Sequence, residues 1–221
     1  MPEIQFKETH DGSKTLYRPD INETYHSIHG ALQESLHVFI KMGLDEFKGQ
    51  NINILEIGFG TGLNAWLTLL NKPKNQEINY TSLETIPLNK EITDQLNYHL
   101  LVTHENAKKA FNQIHNAEWN RFIEIEKGFN LNKLEASIQN AVLPQNHFDL
   151  IYFDAFAPNK QPELWEVTIF EKMYSLLKPN GKLVTYCAKG QVRRNMEIAN
   201  LVTERLQGPP GKREMLRATK P

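Results

Sequence analysis

At 221 residues, 40% of them hydrophobic and 23% charged, the chain has the length of one α/β domain with modest additions and can bury a sizeable core. No apolar run approaches the ~18 residues of a membrane-crossing helix, and the charged N-terminus MPEIQFKETHDGSK lacks the apolar centre of a signal peptide. A single cysteine, Cys187, excludes an intramolecular disulfide and any multi-cysteine zinc site, so the expectation is a cytoplasmic protein with no membrane and no metal. The formal net charge is −1, yet residues 181–221 hold nine Lys/Arg against three Glu. Such a basic tail is a mild sign of a polyanionic partner, and on charge alone a solvated basic helix face is the better account of it.

Residues 1–50 read as an extension ahead of a core domain at 51–221. Within it, Thr9–Pro19 predicts a hairpin with Asp11-Gly12 at its turn. Residues 22–47 predict a helix with Ile28, Leu32, Leu36, Phe39 and Ile40 on one stripe. A polar cluster of Tyr25, His26, Ser27, His29 and Gly30 precedes that stripe, and its plain reading is Ser27 as helix cap with surface histidines.

The stretch from Ile52, INILEIGFGTGLNAW, organises the core. Ile52, Ile54, Leu55 and Ile57 predict a short buried strand, and residues 63–70 carry a helical apolar pattern. Between them lies Glu56-x-Gly58-x-Gly60-x-Gly62, a turn that lets a ligand approach backbone N–H groups at a helix start. Leu63 stands where a dinucleotide fingerprint needs glycine, and Leu63-Asn64 stand where a phosphate loop needs Lys-Ser/Thr. The acid–x–G–x–G–x–G pattern instead resembles the first motif of Rossmann-like methyltransferases that use S-adenosyl-L-methionine.

Next comes a predicted strand at 78–83 ending in Glu84, where a carboxylate can hold ribose hydroxyls or cap the following helix. Residues 88–115 read as largely helical and 121–126 as a third strand followed by Gly128-Phe129-Asn130. Residues 131–142 then read as an amphipathic helix. A buried strand at 148–153 delivers Asp154 to its C-terminal end, where open α/β sheets place their ligands. Residues 163–177 predict a helix, 179–181 a turn, 182–188 a strand and 192–199 a helix. Last come strands at 202–206 and 214–218, joined by a stiff Gly208-Pro209-Pro210-Gly211 connector that presents Lys212 and Arg213 outward.

The blocks LEIGFGTGLN (55–64), FDAFAPNKQPELW (153–165) and GPPGKREMLRA (208–218) resemble the tRNA 5-aminomethyl-2-thiouridine methyltransferases. These are the methyltransferase half of bifunctional MnmC-type enzymes, also found as stand-alone MnmD-type proteins. AKGQVRRNM (188–196) and ETYHSIHGALQESLHVF (23–39) agree with the stand-alone form. The resemblance implies a class I fold, a mostly parallel seven-stranded sheet with helices on both faces. It further implies methyl transfer from S-adenosyl-L-methionine to the primary amine of a modified wobble uridine in the tRNA anticodon loop. With no oxidase domain before Pro221, a separate enzyme would supply the aminomethyl substrate.

Carried over position by position, Glu56, Gly58, Phe59, Gly60, Gly62, Glu84 and Asp154 fall in the cofactor site. Phe129 and Asn130 stand where relatives often have Gly-Asp, so Phe129 is expected to stack on adenine and Asn130 to bond its edge. Asp154 faces the reacting nitrogen, as orienter first and proton acceptor second. Tyr25, Ser27, Lys189, Arg193, Arg194, Lys212 and Arg213 fall on the tRNA side. Three rivals stay open: a methyltransferase for another amine, an aminopropyl transferase of the spermidine-synthase kind, and a tRNA-binding module with a vestigial pocket.

Overall fold

The computed structural model describes residues 3–221. Its centre is an eight-stranded sheet of β4 (Ile52–Ile57), β5 (Ile78–Glu84), β6 (Phe122–Glu126), β7 (Phe129–Glu135), β8 (Phe148–Phe153), β9 (Leu177–Thr185), β10 (Val202–Gln207) and β11 (Glu214–Thr219). The order across it is β10-β11-β9-β8-β4-β5-β7-β6. The five strands from β9 to β7 run parallel, and β11, β10 and β6 join through antiparallel pairs. Buried on both faces, β4 and β8 are near-continuous apolar runs, as parallel strands must be.

Helices cover both faces. Helix α2 (Leu63–Asn71) and α4 (Ala107–Asn116) bury Trp66, Phe111 and Ile114 on one side, in the same cluster as Ile54, Tyr80 and Tyr152. On the other side α5 (Val167–Leu176) and α6 (Gly190–Ile198) pack Phe170, Met173 and Met196 against Leu55, Ile151 and Leu183. The alternation of strand side chains makes the two layers from one sequence run: Ile54 faces one, Leu55 the other.

The extension forms a three-stranded sheet, β1 (Gln5–Glu8), β2 (Lys14–Arg18) and β3 (Glu23–Thr24), followed by a short helical stretch. That stretch is α1 (Ala31–Ser35), a π-helical turn Leu36–Lys41 and a 3-10 turn Leu44–Phe47, so the predicted single helix is shorter and broken. Gly30, and not Ser27, occupies the cap of α1. Asp11 ties the hairpin to this helix, accepting from the backbone of both Ser13 and Gln33.

Three further expectations are corrected. Residues 88–115 hold only α3 (Lys90–Thr93), a 3-10 turn at Tyr98–Leu100 and α4. Residues 129–135 form strand β7, and not the first half of a helix: Leu131, Leu134 and Ile138 have helical spacing, but Phe129, Leu131 and Lys133 alternate inward. Pairing with β5 on one side and β6 on the other selects the period of two. The expected turn at Pro179-Asn180-Gly181 lies inside β9, where the register with β8 breaks.

Candidate active site

The C-terminal ends of the parallel strands open into one cleft of about 970 Å³. Each contributes to its wall: Gly58–Thr61 and Asn64 after β4, Glu84–Ile86 at the end of β5, 136–140 after β7, Asp154–Ala157 after β8 and Tyr186 after β9. Tyr25, His26, Ser27 and Glu34 from the extension close one side, and Lys212 from the β10–β11 loop reaches in beside them.

The glycine turn sits directly on the end of β8. A Cβ on Gly58 would stand 2.6 Å from the Asp154 carbonyl oxygen, and φ is +93° there, so glycine is required twice over. Asp154 N–H donates to the Ile57 carbonyl at 3.0 Å across the same junction. Glu84 holds the turn from the β5 side: Gly60 N–H donates to its Oε2 at 2.9 Å, and the Thr85 and Ile86 amides donate to Oε1 at 2.8 and 2.9 Å. Burial pushes the Glu84 carboxyl up, while those amides pull it back. Three donors leave about one of its four lone-pair sites for a ligand.

Glu56 departs from expectation. Fully buried beneath the turn, it is absent from the cleft wall, because its place in the alternation of β4 turns it toward the Ile54 face. Ser82 Oγ donates to its Oε2 at 2.6 Å, and Oε1 has no protein partner. Burial raises this carboxyl to about 8, with the nearby Asp154 charge adding to the rise and the Ser82 bond opposing it. Gly62 also lies behind the wall, as the left-handed cap of α2. Phe59 reaches the cleft, but its ring packs edge-on against His115 and Trp119.

Asp154 stands part-buried on the cleft wall. Asn64 Nδ2 donates to its Oδ2 at 2.8 Å. Burial first, then the Glu34 charge, lift its carboxyl to about 7; the Asn64 bond and the Lys212 charge pull the other way. Its loop is braced on all sides. Phe156 N–H donates to Gln161 Oε1 at 3.2 Å, Trp165 Nε1 to the Phe156 carbonyl at 2.9 Å, and the Tyr186 hydroxyl to the Ala155 carbonyl at 2.9 Å.

Phe129 and Asn130 are the clearest correction. They start β7 opposite Ile78 and Asn79, at the far end of the sheet from the cleft. Phe129 is fully buried, and Asn130 Nδ2 donates to Asn79 Oδ1 at 3.0 Å. Neither can meet an adenine in the cleft; residues 136–140, after the true third parallel strand, take that place on its wall.

On the extension side, the Tyr25 ring stands 3.1 Å from where a Gly60 Cβ would be and meets Phe156 edge-on. Burial and the Glu84 charge push its phenol up to about 12. His26 is no surface histidine: buried, it bonds Thr15 Oγ1 at 3.2 Å and Thr61 Oγ1 at 3.3 Å, and burial lowers it to about 4. Ser27 N–H donates to Glu34, and Ser27 Oγ accepts from His29.

The basic residues separate. Lys212 turns inward, contrary to expectation, and pairs with Glu34; Arg193 pairs with Glu197, and Arg194 donates to Gln191. Lys189, Arg194 and Arg213 remain exposed outside the cleft wall. Lys182, Arg205 and Arg217 are taken up by Glu46, Glu214 and Glu204. Asn64, Glu34 and Tyr186 were missed as site residues, although Asn64 closes the first motif and Glu34 lies on the predicted helix. Among the described residues, no group of three or more His, Cys, Asp or Glu is placed to hold a metal, and no helix is long and apolar enough to cross a membrane.

A model of the S-adenosyl-L-methionine-dependent methyltransferases matches residues 102–221, more than half of the chain. The chain belongs to this family. Its curated relatives include the tRNA 5-methylaminomethyl-2-thiouridine biosynthesis bifunctional protein MnmC of Methylobacillus flagellatus, 27% identical over 95% of this methyltransferase and 34% of that protein. The protein of the same name from Campylobacter hominis is 30% identical, over 92% and 31%. This methyltransferase thus spans about a third of the length of the curated relatives it matches. Among solved structures, MNMC2 from Aquifex aeolicus superposes with a TM-score of 0.80 at 22% identity, covering 99% of this chain and 70% of that one. A spermidine synthase from Thermotoga maritima gives 0.53 at 13%, covering 98% and 72%. The fold is therefore the class I methyltransferase fold, with β6 as an additional edge strand.

The cleft suits the family's cofactor. Its size is that of a nucleoside-ligand site, and the polar groups on its wall include acceptors: Glu84, Asp154 and Asn64 Oδ1, a buried oxygen with no protein partner. Acceptors match the ribose hydroxyls, amino group and sulfonium of S-adenosyl-L-methionine, which carries no phosphate to grip.

Proposed function

We propose that this methyltransferase methylates the primary amine of a 5-aminomethyl-2-thiouridine at the wobble position of tRNA. Support comes from the names of the MnmC relatives and from one observation in the cleft, the Asp154 carboxylate held by Asn64 beside the glycine turn. When bound, S-adenosyl-L-methionine supplies an electrophilic methyl group on sulfur. Gly58 and Gly60 open the backbone to it, Glu84 offers a remaining lone pair to the ribose hydroxyls, and Tyr25 and Phe156 exclude water from the joint between turn and extension.

Asp154 does the work on the acceptor side. An alkylammonium, with an ordinary pKa near ~10, has no lone pair to attack with until a proton leaves. Asp154 Oδ2 already accepts from Asn64, so Oδ1 is the freer oxygen to orient the nitrogen and take that proton. A carboxyl raised to about 7 is a better-matched acceptor than one at its usual value. Positioning supplies the larger share, since a near-attack geometry is worth ~7–11 kcal/mol.

The test is methyl transfer from radiolabelled cofactor to tRNA carrying the aminomethyl group, with unmodified tRNA and a polyamine as alternative acceptors. Label in the modified nucleoside alone is expected. Preference for the polyamine, or for decarboxylated cofactor as donor, would return the spermidine-synthase reading.

A further inference from the structure

Alternation along β7 turns Lys133 inward with Phe129 and Leu131, and the lysine is 1% exposed. Its Nζ donates to the Ile114 and His115 carbonyls in the last turn of α4, at 2.9 and 3.1 Å, where a helix C-terminus favours a cation. The same ammonium stands 4.9 Å from the centre of the Trp119 ring and 5.3 Å from that of Phe59, both within reach of a cation–π contact. Keeping an ammonium from water costs free energy that these four partners offset. Burial lowers it to about 8, and no carboxylate opposes that shift.

Phe59 lies between the first two glycines of the cofactor turn. Its N–H donates to the Leu83 carbonyl at 3.1 Å, and its own carbonyl accepts from Gly62 N–H at 2.8 Å. The ring folds back until Cζ is 3.0 Å from where a Gly62 Cβ would be. Phe59 and Gly60 form the partition between the cleft and a second cavity of about 150 Å³, whose wall includes His115, Trp119 and Lys133. With that space behind it, close packing alone does not fix the ring. The edge-on contacts with His115 and Trp119 and the Lys133 cation hold it.

We infer that Lys133 is a positioning residue for the cofactor: its ammonium, anchored on the end of α4, holds the Phe59 ring and so keeps the Gly58–Gly62 backbone in the conformation that receives S-adenosyl-L-methionine. The inference concerns the methyl donor and stands whichever amine is the acceptor. A ring that swung into the second cavity would draw the adjoining peptide units with it. Gly60 N–H is the donor to Glu84 Oε2, so the turn and the carboxylate of the ribose side would shift together. The cage itself is built on β7: Trp119 bridges to Lys133, and Asn120 N–H donates to the Lys133 carbonyl at 2.6 Å. Two other titratable groups face this cavity. His115 from α4 is neutral at working pH, since burial lowers it to about 4, and Lys90 from α3 is paired with Asp94. Neither supplies a second free charge to the Phe59 ring.

A double-mutant cycle of Lys133→Met and Phe59→Leu tests it, read by calorimetric affinity for S-adenosyl-L-methionine and by amide hydrogen exchange in the ligand-free protein. Lys133→Met is expected to bind the cofactor about 10-fold more weakly. Its Gly60 and Gly62 amides are expected to exchange faster while those of β4 exchange as before. The double variant is expected to bind no more weakly than Phe59→Leu alone. Additive losses overturn the inference, and so do wild-type affinity and wild-type turn exchange in a folded Lys133→Met, even with a lowered Tm. If Lys133→Met does not fold, pH supplies the same test. The advantage of wild type over Phe59→Leu is expected to shrink as pH rises through about 8 and the lysine gives up its proton, the titrations of the cleft acids and of the cofactor being common to both proteins. A constant ratio from below that pH to above it overturns the inference as well. Failure to methylate any tRNA touches the acceptor reading alone.

Discussion

Asn64 and Asp154 join the two halves of the cleft: the amide on the first turn of α2 donates to the carboxylate at the end of β8 at 2.8 Å. The bond spans the junction where Gly58 leaves no room for a side chain against β8. One arrangement therefore shapes the cofactor turn and aims the acceptor-side carboxylate, so damage to either is expected to be felt by both.

Asp154→Asn keeps the shape and removes the charge. With the wild-type carboxyl near 7, kcat is expected to rise with pH through that value and level off above it. The variant should lose 10²–10⁴-fold at pH 7 and recover part of the loss at alkaline pH, as the amine deprotonates unaided. A pH–rate series on both enzymes reads this, and near wild-type turnover in Asp154→Ala would remove the residue from the reaction.

Gly60→Val acts at the joint between turn and extension. Its φ of +48° disfavours any side chain, and its Cβ would press on Tyr25 at 3.1 Å. Affinity for S-adenosyl-L-methionine is expected to fall by at least ~10-fold in a variant that keeps its far-ultraviolet circular dichroism, because backbone strain and a displaced tyrosine together exceed ~1.4 kcal/mol. Calorimetry giving an unchanged affinity would show that the cofactor does not depend on this turn.

Glu56→Gln tests the buried acid. A carboxyl at about 8 in the folded chain, against an ordinary 4.5, binds more protons folded than unfolded across that interval. Its contribution to stability is thus complete below pH 4.5 and is lost as pH rises toward 8. Asp154 has the same sign up to about 7, and Lys133, which burial lowers to about 8, has the opposite sign around and above that value, so the Glu56 contribution is read as the difference between the two proteins. By urea midpoints, the stability of the wild type relative to Glu56→Gln should fall between pH 7 and 8; parallel slopes would mean the acid titrates normally.

The exposed cations Lys189, Arg194 and Arg213 are the candidates for tRNA phosphates, the paired Arg205 and Arg217 being engaged elsewhere. Neutralising all three should raise KM for tRNA and reduce the log–log salt slope by ~0.7–0.9 per lost contact, with cofactor affinity preserved. A wild-type slope after all three changes would leave them as solvated surface charge.

Local chemistry wrote much of this protein openly. Alternating apolar residues, three spaced glycines and a helical stripe specify β4, the turn and α2 without reference to any other segment, and a polar residue after the four buried ones at 150–153 marks Asp154. What the sequence could not decide is whatever depends on pairing. Phe129 reads as following a strand and in fact begins one, because the β6–β7 hairpin supplies the backbone partners that outweigh a helical spacing. Glu56 looks like a ligand residue by motif, but strand alternation turns it beneath the turn, where desolvation keeps it protonated. Lys212 looks like a surface charge, and only the arrival of Glu34 from the opposite end of the chain makes it part of the cleft. Periodicity and turn chemistry act over a few residues and are legible one segment at a time; burial, register and ion pairing are set by neighbours that only the folded chain brings together.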